Sequence, residues 1–109
     1  MIVLKIYSEM IQLCVSETGI VLNVYCLRKH LAFLRNIETQ YTRLSLGGYL
    51  GFKGAVSVRF DLYGVSYCFV DTHLSAHDHM LDARVAEYNT IVETHKFKHR
   101  DTNNILYHE

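Results

Sequence analysis

Asp71, His73, His77 and His79 fall within nine residues and directly follow the apolar run Val65 to Val70. An imidazole at a strand end can donate to an anionic oxygen, carry a proton or ligate a metal. Open α/β sheets place their ligands at the carboxyl ends of strands. The spacing narrows the choice. In the H-E-x-x-H pattern a glutamate follows the first histidine, whereas Leu74 follows His73. A zinc reading of His73, His77 and His79 is therefore disfavoured, and no residue is assigned as a metal ligand. His95 and His99 repeat a spacing of four where a helical pattern ends, a place where histidine suits the negative end of the helix dipole.

A second chemical feature is the stretch Gly47-Gly48-Tyr49-Leu50-Gly51-Phe52-Lys53-Gly54. Glycines let backbone N–H groups converge on an anion, and Lys53 adds a mobile positive charge. The pattern is not G-x-x-x-x-G-K-[ST], because Gly54 follows Lys53, and it is not G-x-G-x-x-G. Loop composition alone leaves two readings, a phosphate cradle and a flexible strand connection. Cys14, Cys26 and Cys68 are odd in number and lack CxxC spacing, so no structural disulfide is expected, and a reducing compartment fits them.

The elements that must position these groups belong to one unit of 109 residues, with 50% hydrophobic and 20% charged residues. Eleven basic and eleven acidic side chains balance, which argues against a global basic field for nucleic acid. The two halves differ: residues 1–54 hold six basic and three acidic side chains (+3), and residues 55–109 hold five and eight (−3). The opening Met1 to Leu4 run is broken at Lys5, too short for a signal or a membrane span, so a soluble, cytoplasmic protein is expected.

Residues 9–16 and 19–26 read as a hairpin around Glu17-Thr18-Gly19, residues 27–34 as a short helix, and residues 38–46 as an extended segment. Val56, Val58, Phe60 and Leu62 alternate with Ala55, Ser57, Arg59 and Asp61, which predicts a strand with one face buried. Val65 to Val70 is apolar on both faces, which predicts a central strand. Residues 78–98 predict a helix whose buried stripe is Leu81, Val85, Tyr88, Val92 and His95, with Glu87 and Glu93 off it. The tail from Asp101 shows no period.

Three segments taken together resemble the catalytic domain of the inositol polyphosphate 5-phosphatases. They are Tyr41-Thr42-Arg43 leading into the glycine-rich stretch and Ala55-Val56-Ser57-Val58-Arg59-Phe60, then Cys68-Phe69-Val70-Asp71-Thr72-His73-Leu74-Ser75-Ala76-His77, then Arg84 to Tyr88. That family shows Tyr-Thr-Arg-Thr-Gly-Leu-Gly-Gly, Gly-Asn-Lys-Gly-Ala-Val-Ser-Val-Arg-Phe and Asn-Ser-His-Leu-Ala-Ala-His in the same order. The resemblance is clearest over residues 27–109, where Lys29-His30-Leu31 and Phe33-Leu34-Arg35 also fit.

The resemblance implies an α/β (α+β) fold, a fragment of the four-layer sandwich with mixed β-sheets found in the endonuclease/exonuclease/phosphatase superfamily. It implies Mg²⁺-dependent hydrolysis of the 5-phosphate of phosphoinositides or soluble inositol polyphosphates, with peripheral membrane contact and no nucleic-acid partner. By matched position, His73 contacts the scissile phosphate. Lys53, Arg43, Gly51 and Gly54 bind substrate, and Asp71 and Arg84 support them. The family's magnesium-binding glutamate has no counterpart here, and its Gly-Asp-Leu-Asn-Phe-Arg and Ser-Asp-His-Lys-Pro segments would fall after Glu109. Phe52 and Asp71 stand where the family has asparagine. These departures set two alternatives beside the enzyme: a non-catalytic remnant that only binds a partner or is unstable, and a nuclease of the same superfamily.

Overall fold

The computed structural model describes residues 1–17, 19–44, 53–98 and 103–108. Met10–Glu17 (β2) and Ile20–Leu27 (β3), rich in β-branched and apolar residues, pair antiparallel with Glu17 opposite Ile20. Gly19, at φ +82°, takes the left-handed turn between them. Ile2–Ile6 (β1) pairs with the outer side of β2, giving a first sheet in the order β1-β2-β3.

A 3₁₀ helix over Arg28–Phe33 leads into Leu34–Leu44 (β4), which pairs with Lys53–Leu62 (β5), and β5 pairs with Val65–His73 (β6). The β5–β6 connection is the two-residue turn Tyr63-Gly64, with φ +51° and +78°. Positive φ at both central residues is the turn whose twist matches the flanking strands. Phe33 stacks on Tyr63 at 4.7 Å between ring centroids, which ties the 3₁₀ helix to this turn.

The sheets pack face to face through Val15 and Ile20 on one and Val56 and Val58 on the other. The opposite face of the second sheet carries α1, Leu81–Thr94, through a smaller core of Leu44, Ala55 and Ile91. The result is an α+β arrangement of two antiparallel sheets and a helix.

Four expectations change. The strand predicted to have one wet face, β5, is the central strand, and Ala55 to Arg59 are buried on both sides: on the face that alternation left for solvent, Ile91 of α1 packs with Ala55, His95 bonds Ser57, and Asn36, Asp61 and Ser66 bond Arg59. Among the described residues β6, predicted as central, is an edge of its sheet, with Tyr67 and Phe69 exposed. The helix predicted over residues 78–98 is a short 3₁₀ turn, Asp78–Met80, followed by α1, which ends at Thr94. Its predicted inner stripe is largely outside: Leu81, Val85 and Tyr88 are 59%, 51% and 53% exposed, while Glu87 and Ile91 are buried. The inner side of α1 is held largely by hydrogen bonds, and an apolar stripe cannot report those.

Candidate active site

Strand register brings the candidate residues to one end of the second sheet. Arg43 lies opposite Gly54, and Gly54 lies opposite His73, so the three form one row across β4, β5 and β6. Leu44 lies opposite Lys53 at the start of β5. By the alternation of strands, Arg43, Asp71 and His73 share the face toward the first sheet, whereas Lys53 leaves β5 on the face toward α1. The lysine stem carries its ammonium around the strand end, where Nζ donates to His73 Nε2 at 3.0 Å. A lysine cannot accept, so His73 Nε2 is the acceptor and the ring proton of the neutral imidazole sits on Nδ1.

Gly54 is part of β5 rather than of a loop, and its role there is steric. A Cβ at this position would lie 2.2 Å from the carbonyl oxygen of Thr42. Only glycine allows β5 to approach β4 this closely. Gly51 and Phe52, with most of the glycine-rich stretch, lie outside the described residues.

Arg43 is exposed and engaged with a carboxylate. Its Nε donates to Glu17 Oε1 at 2.8 Å, Nη2 pairs with the same oxygen, and the guanidinium lies 5.7 Å from the centroid of the Tyr41 ring. The hydrogen bond and charge of Glu17 push the arginine pKa further up. This pair joins the end of β2 in the first sheet to the end of β4 in the second. Asp71 lies opposite Val56, two residues before His73 on the same face.

Arg84 acts on the chain just past β6. Its Nη1 donates to the carbonyls of Ser75 at 3.1 Å and His77 at 2.7 Å. Glu87, one turn on, is buried and accepts from the Ser75 amide at 2.9 Å and the Ser75 hydroxyl at 2.5 Å. The two side chains anchor the segment that leaves His73. The apolar pattern leaves Glu87 off the buried face; its signal is the i, i+3, i+7 series Arg84, Glu87, Ile91, a helical stripe that crosses polar residues. His77 and His79 stack on one another at 5.8 Å. Among the described residues no group of three or more histidine, cysteine, aspartate or glutamate side chains is placed to hold a metal ion.

His95 is buried, as its place on the predicted stripe implies, but it is not the cationic dipole partner that its place at the helix end suggests. The ring is fully buried, with Nδ1 hydrogen-bonded to Thr42 Oγ1 at 2.8 Å and Nε2 to Ser57 Oγ at 2.5 Å. Burial lowers its pKa to about 4, so at neutral pH it carries no charge for the dipole to attract. His99 lies outside the described residues.

An ammonium beside an imidazole at a strand end can receive an anionic oxygen. Residues 10–109 match the family model of the endonuclease/exonuclease/phosphatase family 2. The chain belongs to this family. Among relatives, it is 38% identical over 91 residues to rat (Rattus norvegicus) phosphatidylinositol 4,5-bisphosphate 5-phosphatase A, covering 84% of this chain and 9% of the relative. It is 35% identical to inositol polyphosphate 5-phosphatase K of Mus musculus, covering 84% of this chain and 19% of that protein. The endonuclease/exonuclease/phosphatase chain also superposes, at a TM-score of 0.74 and 31% identity, on the inositol polyphosphate 5-phosphatase domain of SPsynaptojanin, solved with inositol (1,4)-bisphosphate and calcium ion. The match covers 91% of this chain and 28% of that one. This family member thus spans a small part of the relatives it matches, and its likeness to inositol polyphosphate 5-phosphatases, expected from the motifs, stands.

Proposed function

We propose that these residues form part of a catalytic domain that removes the 5-phosphate from phosphoinositides or soluble inositol polyphosphates. The observation that carries this reading is the Lys53–His73 pair at the end of β5 and β6. Both residues belong to the segments that resemble the 5-phosphatase motifs, and relatives of this chain are named 5-phosphatases. In this reading the Lys53 ammonium draws the phosphoryl oxygens electrostatically, and His73 donates to the phosphate whose bond is cleaved. Arg84 and Glu87 hold the segment after His73 and so fix the ring's approach. Arg43 supports the substrate only when its guanidinium leaves Glu17. Gly54 acts by letting the strands close up.

Magnesium is the cofactor of this reading, and it would supply Lewis-acid stabilisation of the phosphoryl oxygens. The described residues do not assemble a metal site of their own. The substrates imply a cytoplasmic protein with peripheral contact to membranes, and no helix among the described residues is long and apolar enough to cross one.

A second reading, a non-catalytic partner-binding remnant, is favoured by one specific observation. The Asp71 carboxylate shares the face of His73, where it repels a phosphate. Phosphate release from soluble inositol trisphosphate in magnesium separates the two. Release that falls about 10²- to 10³-fold in His73→Ala supports the enzyme. No release by a longer polypeptide that contains this chain supports the remnant.

A further inference from the structure

We propose that His95 is a positioning residue, whose ring, bridged between Thr42 and Ser57, fixes the end of the β4–β5 pair so that Lys53 meets His73. The bridge joins three elements, because Thr42 lies on β4, Ser57 on β5 and His95 directly after α1. All three side chains are on the helix face of the second sheet, the face from which Lys53 also departs. A neutral imidazole has one donor and one acceptor nitrogen, so one hydroxyl gives it a proton and the other receives one, and both buried nitrogens are satisfied.

The surroundings make this bridge stiff. The His95 amide donates to the Ile91 carbonyl at 2.8 Å, Gln40 Nε2 donates to the Lys96 carbonyl at 2.9 Å, and Phe97 meets the ring edge to face at 5.8 Å. On the strand side, the Thr42 residue that bonds His95 also presents the carbonyl against which Gly54 fits. One step along, Leu44, opposite Lys53, packs with Ala55 and Ile91. A shift of Thr42 therefore moves the backbone at Gly54 and the base of the Lys53 side chain together. Nothing in the likeness to the 5-phosphatases assigns this role, and its meaning for phosphate binding rests on the reading above. The experiment is chosen to read the His73 ring itself, so the two can fail separately.

The test uses the full chain at pH 7.5 with ¹⁵N-labelled histidine, following the imidazole nitrogens of His73 by NMR. In the wild type Lys53 donates to Nε2, so the Nδ1–H form should dominate. In His95→Leu, Thr42→Val and Ser57→Ala the ratio of Nδ1–H to Nε2–H should fall about fivefold or more, the worth of one ordinary hydrogen bond. Lys53→Met sets the value for a lost pair, and His95→Gln, which can still reach Ser57, should recover part of the ratio. Circular dichroism and a melting curve establish that each variant folds. Folded variants with an unchanged His73 ratio would overturn the proposal, as would a wild type already in the Nε2–H form. If His95→Leu fails to fold, the two milder hydroxyl variants decide; if those also fail to fold, His95 is a folding residue and the positioning role falls. Loss of the ratio together with absent phosphatase activity in a longer polypeptide that contains the chain would keep the positioning role and remove the catalytic reading.

Discussion

The Cα of Gly54 sits so close to Thr42 that a methyl group there would lie 2.2 Å from the Thr42 carbonyl oxygen. The atoms it would meet are all main chain of β4, paired with a strand that is itself bonded on both sides, so no flexible side-chain end can move away. Gly54→Ala should destabilise the chain by about 2–3 kcal/mol, the scale of an overpacked interior site. Urea unfolding measures this. The same substitution at Gly64, where a Cβ meets nothing within 4 Å, should act only through its positive φ and cost less.

His95 makes stability depend on pH in a stated window. Its folded pKa is lowered from 6.5 to about 4, so the folded state resists protonation that the unfolded chain accepts. Between these values the unfolded state binds more protons, and stability should fall as pH drops from about 6.5 to about 4. The full loss is about 3 kcal/mol, with no contribution from this group above pH 7. Unfolding free energies measured across pH 4 to 8 in wild type and His95→Gln isolate the effect. Parallel curves for the two proteins would show that His95 does not carry it.

Glu17 and Arg43 form a pair at the surface, with the arginine side chain 64% and the glutamate side chain 18% accessible. An anionic ligand must compete with Glu17 for that guanidinium. Glu17→Gln should leave the melting temperature nearly unchanged, because surface pairs are screened by solvent. It should also tighten binding of inositol trisphosphate several-fold at low salt, with the gain shrinking as salt rises. Isothermal titration at two ionic strengths checks both statements.

Asp71 places a carboxylate on the face of His73 where the 5-phosphatase pattern has an amide. In a polypeptide that shows phosphate release, Asp71→Asn should raise kcat/KM about tenfold or more, since one charge-assisted hydrogen bond is worth roughly 1.5 to 3 kcal/mol. Phe52→Asn restores the second amide of the pattern and should add to it. The four proteins are compared at fixed magnesium and ionic strength. No gain from either change would favour the non-catalytic reading.

Much of the architecture was legible in short-range pattern. The hairpin of β2 and β3 followed from two apolar runs around Gly19, β5 from the alternation of Val56, Val58 and Phe60, and the family from motif order around Lys53, His73 and Arg84. These features are local, because each depends on residues two to four apart whose side chains share a face whatever the rest of the chain does. Which faces became buried was not local. The inner side of α1 passes through Glu87 and Ile91 rather than Leu81 and Tyr88, and β5 rather than β6 is central. Hydrophobic periodicity counts apolar side chains, whereas burial of Arg59, Glu87 and His95 depends on partners elsewhere in the chain: Asn36 and Asp61, Ser75, and Thr42 and Ser57. A polar group enters a core only when its hydrogen bonds are met there. Those partners lie up to 53 residues away, as with Thr42 and His95, and only the closing of the second sheet against α1 brings them within reach.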